Sequence, residues 1–212
     1  ALSEAFTQNS KDVEENAQKL TKALEQLESH KTIGTEKQKP DADFLKGAAE
    51  KVLSFVDWQN GGFGGSPKFP NTMNLAFLWR YGLNTQVGKA LEATRMSLVK
   101  IAQGGIYDQL GGGFSRYSVD AQWSVPHFEK MLYDNALLLK LYSEVLLTAP
   151  YEFLNDEETE LFKKTISETK DFLLNEMQGP EGLFYAAYDA DSDGEEGKYY
   201  VWNLEEISEL LS

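Results

Sequence analysis

Apolar residues along this chain recur mostly at three- and four-residue spacing, the period of a helix. From Ser10 to about His30 a narrow stripe of Val13, Ala17, Leu20, Leu24 and Leu27 predicts a surface helix packed on one neighbour. Lys31 to Pro40 is polar and reads as a linker. Asp41 can cap a second helix to about Gln59, with Phe44, Leu45, Ala48, Val52, Phe55 and Val56 on one face. Further helices are predicted near Thr72 to Leu83 and from about Gln86 to Ala102. Pro126 suits the first turn of the next helix, whose MLYDNALLLKLYSEVLL is apolar nearly all the way round and so is expected to be buried on several sides. Asn155 with Glu158 reads as a capping box opening a helix to about Gln178. The aromatic runs LFYAAY and KYYVW flank the acidic turn DADSDGEEG and predict a β-hairpin with a long tip; Asn203 and Glu206 then open a last helix.

In order, amphipathic helices alternate with more fully apolar ones, as a ring with an outer layer and a buried inner layer requires. The connections alternate too. Those near Asn84 and from Pro150 to Asn155 are short, whereas 59–71, 103–126 and 178–203 are long, glycine-rich and aromatic. Antiparallel packing gathers the three long links at one end, and GGFGG, GGGF and EGLFY recur in them as a loose repeat of roughly 50 to 70 residues. The expected fold is an all-α toroid of helical hairpins, with small β-hairpins in the loops at one end and a polar pocket among them.

Composition narrows the partner. Twenty Lys and Arg against 34 Asp and Glu leave a formal charge of -14, which argues against a nucleic-acid or anionic-membrane surface. The absence of cysteine removes disulfides, thiolate metal sites and a cysteine nucleophile. No apolar run approaches the ~20 residues of a membrane span, and ALSEAFTQNSKD lacks the basic start and apolar stretch of a secretory signal, so the cytoplasm is the expected compartment. The chain starts without Met and stops in EEISELLS, a helix just under way, so both ends are expected to be boundaries within a larger protein.

GGFGGSPKFP, GGIYDQLGGGFSRYSVDAQWSVPHFEKMLYDNA and DADSDGEEGKYYVW resemble the thioredoxin-domain-containing, spermatogenesis-associated protein 20 family, over about residues 44 to 212. The resemblance implies a thioredoxin-like domain followed by an (α/α)6 region similar to N-acylglucosamine 2-epimerases and six-hairpin glycosidases. Residues 1–40 would then be a connecting helix and linker and 41–212 the first half of the toroid, with the thioredoxin-like domain and the second half absent. Where the family commonly reads GGGFHRYS this chain has Ser115, which removes an imidazole.

Candidate chemistry concentrates in the long links. His127, placed at the start of an inner helix, can serve as acid or base on a sugar, or structurally close the helix N-terminus; His30 is incidental. Glu129 and Asp134 share that helix, and Asp134 inside an apolar run needs a partner, either a substrate hydroxyl or the loop backbone, Lys130 or Arg116. Asp108 completes the acid/base candidates of this link, where Arg116, Tyr117, Asp120 and Trp123 supply an aromatic platform beside charged groups, the usual kit for a sugar and equally usable by a loop packing on itself. Asp189, a further acid/base candidate, and Asp191, a candidate ligand contact, are the acidic-tip residues expected to reach the mouth. With Asp193 and Gly194 they match the first half of a calcium-binding loop, but Tyr200 stands where its bidentate Glu belongs, so no metal site is assigned. In GGFGGSPKFP, which lacks a GK[ST] ending, Lys68 and Phe69 are expected to face the pocket.

Two functions follow. One is a carbohydrate-active toroid that binds or transforms a sugar-like ligand by acid/base chemistry without a cofactor. Epimerisation would need two poised proton-transfer groups, and glycoside hydrolysis two carboxylates. The other is a non-catalytic scaffold serving the attached thioredoxin-like domain.

Overall fold

The computed structural model describes residues 6, 9–29 and 41–211; His30, the linker read at 31–40 and the side chain of Leu27 lie outside the described residues. The chain divides into two compact units, Ala1–Ala42 and Asp43–Ser212. The first holds α1 (Ser10–Ser29). Its Val13, Leu20 and Leu24 are exposed, where the stripe predicted a packed face. The Glu, Lys, Gln and Leu content of α1 favours the helix by propensity alone.

The second unit contains α2 (Ala42–Ser54), α3 (Thr72–Thr85), α4 (Gly88–Gln103), α5 (Leu132–Thr148), α6 (Asp156–Asn175) and α7 (Leu204–Leu211). Between them lie four short strands, β1 (Lys130–Met131), β2 (Ala187–Tyr188), β3 (Asp191–Ser192) and β4 (Glu195–Glu196). Short links make antiparallel hairpins of α3 with α4 and of α5 with α6, and the hairpins stand side by side, α3 against α5 and α4 against α6. This is an all-α partial toroid. Its main core joins Leu75 and Trp79 of α3, Leu98 and Ile101 of α4, Leu138 and Tyr142 of α5 and Phe162 of α6. The buried Tyr142 hydroxyl donates to Leu98 O at 2.7 Å, and Trp79 Nε1 donates to Thr148 Oγ1 at 2.9 Å, so the large rings leave no orphan polar atom.

The three long connections meet on one rim. Lys68 and Ser118 exchange backbone hydrogen bonds of 2.7 and 2.9 Å, tying the first link to the second. The second and third are tied by β1 and β2, which pair antiparallel with Lys130 opposite Tyr188. The predicted capping box forms, Asn155 Oδ1 accepting from Glu158 N at 2.8 Å, and the pair read as opening the last helix makes a second one, Asn203 Oδ1 accepting from Glu206 N at 2.9 Å.

Four expectations change. The helix read from Pro126 starts at Leu132, because 126–129 are tied to the preceding loop, with Phe128 turning the chain at φ +24°: His127 N donates to Tyr117 O at 3.0 Å and Arg116 N to Glu129 O at 2.7 Å. Helix α5 buries one face, through Asn135, Leu138, Leu141, Tyr142 and Val145, while Tyr133 and Leu147 are exposed. Helix α2 stops at Ser54 because Asp57 opens a tight turn, its Oδ1 accepting from Gln59 N and Asn60 N, both at 3.0 Å. The two aromatic runs do not pair with each other. Instead β3 and β4 form a two-residue hairpin around Asp193 (φ +53°) and Gly194 (φ +79°), the positive-φ pair that an Asp-Gly turn supplies, and Lys198 to Trp202 are turn and coil.

Candidate functional site

Several of the residues expected at the mouth are consumed by the rim itself. Lys68 is fully buried, where a pocket-facing side chain was expected. Its Nζ donates to Asp57 Oδ2 at 2.6 Å and Ala121 O at 3.0 Å and lies 5.3 Å from the centre of the Trp123 ring. Trp123 is also buried, with Nε1 donating to Asn60 O at 2.9 Å, so it is a wedge between the first two links and no platform for a ligand. Asp120 accepts from the backbone N–H groups of Gln122, Ser124 and Val125 at 2.6 to 3.1 Å, which outweigh the upward push of burial and hold its carboxyl below the usual range.

Asp108 is spent in a similar way. Its Oδ1 accepts from Leu110 N at 3.0 Å and Gly111 N at 2.8 Å, and its Oδ2 takes a 2.7 Å hydrogen bond from Lys130. Burial alone would raise this carboxyl, but the ammonium and the two amides together lower it. Lys130, buried beneath β1, also donates to Gly112 O at 2.8 Å; burial lowers its pKa while Asp108 opposes the shift.

The non-helical segment before α5, which ends in β1, lies between two cavities. Because side chains alternate along an extended chain, Glu129 turns to one side, meeting Arg116 Nη1 at 3.0 Å, and Lys130 to the other, meeting Asp108. On the Glu129 side a cavity of about 310 Å³ opens between the first turns of α3 and α5, lined by Phe69, Asn71, Met73, Arg116, Tyr133 and Asp134. On the Lys130 side a cavity of about 420 Å³ lies beside the end of α6, lined among others by Lys130, Glu176, Tyr188, Asp189, Asp191 and Tyr199.

Asp134 is the carboxyl that lines the α3–α5 cavity among the described residues. Burial pushes its carboxyl up to about 6; nearby Glu129 adds to the shift and Arg116 opposes it. His127 is set apart from it. The imidazole stacks on Tyr117 with centroids 4.6 Å apart, Tyr117 packs against Phe69 at 4.8 Å, and only Phe69 of the three lines the cavity. Its Nε2 lies 3.7 Å from Glu196 Oε1 on β4, and its Nδ1 is buried without a hydrogen-bond partner among the described residues. Asp189 and Asp191 reach the α6 cavity, whereas Asp193 pairs with Lys198 at 3.2 Å on the exposed tip. Among the described residues no group of three or more His, Asp or Glu is arranged to hold a metal ion.

Thus the structure brings Phe69, Arg116 and Asp134 together in one cavity, with Glu129 behind Arg116, and places Asp108, Asp189 and Asp191 in the other. Tyr133, Asn135, Lys130 and Glu176 were not picked out from the sequence as site residues. Asn135 carried a readable signal, since it is a polar residue within the mostly apolar α5 and must find partners if buried.

The fold and its rim define a class, the α/α toroids with polar cavities among the loops at one end. Among solved structures the chain is similar to an unsaturated glucuronyl hydrolase specific for heparin, with a TM-score of 0.54 and 14% identity, covering 69% of this chain and 42% of that one. A cellobiose 2-epimerase from Spirochaeta thermophila aligns at a TM-score of 0.48 and 19% identity, over 70% of this chain and 41% of that one. No protein-family model matches the chain. In sequence it is 36% identical to human spermatogenesis-associated protein 20 over 221 aligned positions, 99% of this chain and 27% of that protein. An uncharacterized Caenorhabditis elegans protein is 37% identical over 77% of this chain and 23% of its own length. The chain is therefore homologous, along almost its whole length, to part of spermatogenesis-associated protein 20, and it spans about a quarter of the curated relatives it matches.

Proposed function

We propose that the α3–α5 cavity binds a sugar-like ligand and that Asp134 moves the proton in its chemistry. The observation that carries this reading is a half-buried carboxyl with a pKa near 6, set in an open cavity between the first turns of two neighbouring helices. A group titrating there is present both as acid and as base close to neutrality, which general acid–base catalysis requires. Arg116, braced by Glu129, supplies donors to ligand oxygens, and Phe69 and Tyr133 supply apolar ring faces. Fold likeness to a glucuronyl hydrolase makes sugars the first class to test without establishing the reaction. In this reading residues 41–212 form the first half of the ring in a longer cytoplasmic protein, and the second proton-transfer group comes from outside this segment.

The test uses the full-length protein. Free aldoses incubated in D2O are followed by NMR for deuterium at C2, and aryl glycosides are followed for release of the aryl group. Asp134→Asn is expected to lower whichever turnover is found by about 10²-fold or more, in line with the loss of a general acid–base group. Unchanged turnover in that variant removes Asp134 from the chemistry.

A second reading, a ligand-binding module without catalysis that serves a thioredoxin-like domain, is supported by one observation. Lys68, Asp108 and Asp120 are spent on the rim's own architecture, which leaves Asp134 as the cavity's one carboxyl among the described residues. Sugar binding without turnover in the same experiment selects it.

A further inference from the structure

The α6 cavity lies on the opposite side of the 126–131 segment from Asp134, and its lining differs in kind. Four carboxylates (Asp108, Glu176, Asp189 and Asp191) and one ammonium, Lys130, face it. Lys130 and Asp108 neutralise each other at 2.7 Å, so the lining keeps three negative charges, and none of the other three carboxylates is engaged in an ion pair among the described residues. An anionic ligand is repelled by that balance.

Hydrogen-bonding capacity is just as one-sided. Carboxylates only accept. Lys130 has committed two of its N–H groups to Asp108 and Gly112 O, and the Tyr188 hydroxyl donates to Glu176 O. A sugar hydroxyl both donates and accepts, and it would find acceptors here in excess of donors. A primary ammonium is the complement, with three donors, no acceptor and a positive charge. The walls suit it as well. Ring faces attract a cation within about 6 Å of their centres, and here Lys130 Nζ already lies 4.5 Å from the Phe172 centroid and 5.2 Å from that of Tyr200. Tyr199, exposed and set edge-on to Tyr200 at 5.1 Å, offers a further ring at the opening.

We infer that the cavity beside the end of α6 is a binding site for a primary alkylammonium, either a free amine or the side chain of a lysine, held by Asp189, Asp191 and Glu176 and by the ring of Tyr199. Its volume of about 420 Å³ leaves room for an alkyl chain of several carbons. The chain's charge of -14 draws a cation toward the whole surface, so the experiment must separate site from surface.

Calorimetric titration of the full-length protein with cadaverine, Nα-acetyl-lysine amide and 1,5-pentanediol does so. Cadaverine is expected to bind and pentanediol not to. If the lysine amide binds as cadaverine does, a lysine side chain is a sufficient ligand; if cadaverine alone binds, the ligand is a free diamine. The doubly substituted Asp189→Asn/Asp191→Asn protein and Tyr199→Ala, all changes of exposed residues, are each expected to weaken binding tenfold or more. Asp156→Asn/Glu157→Gln, at the exposed start of α6, is expected to leave it unchanged. The inference is overturned if cadaverine does not bind, if pentanediol or cellobiose binds with the same dependence on Asp189 and Asp191, or if the α6 control weakens cadaverine as much as the cavity variants do.

Discussion

Asn135 holds Phe114 by both of its backbone groups: Oδ1 accepts from Phe114 N at 2.7 Å and Nδ2 donates to Phe114 O at 3.0 Å. The same Nδ2 reaches Met131 O at 2.9 Å, so one buried amide fastens the glycine-rich second link to the first turn of α5. The clamp sets the register of the whole rim, since Phe114 stacks on Tyr142 below it and Arg116, two residues on, faces the α3–α5 cavity. Asn135→Leu keeps the volume and strands one donor and one acceptor, Phe114 N and Phe114 O, away from water. A loss of about 3 kcal/mol is expected, the cost of orphaned buried polar groups less what the apolar side chain recovers. Urea denaturation followed by tryptophan fluorescence measures it, and a loss below about 1 kcal/mol would show that the loop has another anchor.

Removing Lys68 tests the first link in the same way. Its ammonium is fully buried against Asp57, so Lys68→Met should cost about 3 kcal/mol by leaving the carboxylate without its ion partner. The pH dependence supplies the sign. Burial pushes Asp57 up, but hydrogen bonds from Lys68, Asn60 and the turn backbone outweigh it and hold the carboxyl below its ordinary 3.8. A carboxyl depressed in the folded state contributes stability that is whole above 3.8 and is lost as pH falls below it. The wild-type protein should therefore lose stability more steeply than Lys68→Met between pH 4 and pH 2, and parallel curves would refute the assignment.

At Gly113 the backbone is left-handed, with φ +76°, and a Cβ would stand 2.5 Å from the Phe172 ring. Gly113→Ala therefore combines a strained conformation with overpacking, together worth about 3 kcal/mol. Gly64, also at positive φ (+70°), has open space around it, so Gly64→Ala should cost about 1 kcal/mol from the backbone alone. Equal losses in the two variants would mean that the contact with Phe172 is soft.

Much of this fold is legible from local signals. Two capping boxes, the helical periods of α3 to α6 and the alternation of short and long links suffice to put every elaborate loop on one rim. What is not legible is competition between distant segments. Pro126 fits a helix start as well as an extended strand, and the choice is made by Tyr117 and Arg116, some ten positions back, whose backbone captures His127 and Glu129. The same reason hides Lys130, whose partner Asp108 lies 22 positions away. The Asp193–Gly194 hairpin is a different case. Asp-Gly is a short-range turn signal that the calcium-loop comparison obscured.

Asp134 links stability to the proposed chemistry. Burial raises its carboxyl from 3.8 to about 6, so between these values the folded protein binds more protons than the unfolded chain. Stability contributed at this site is therefore full below pH 3.8, declines as pH rises and reaches its minimum above 6. Asp134→Asn removes the penalty because an amide has no proton to lose. The variant should exceed the wild type in urea midpoint at pH 7.5 and match it near pH 4. A tighter fold with poorer turnover at neutral pH is the pairing expected of a residue whose burial serves a reaction. If the two proteins have the same midpoint at pH 7.5, Asp134 is already solvated in the folded state, and its elevated pKa cannot be invoked for catalysis.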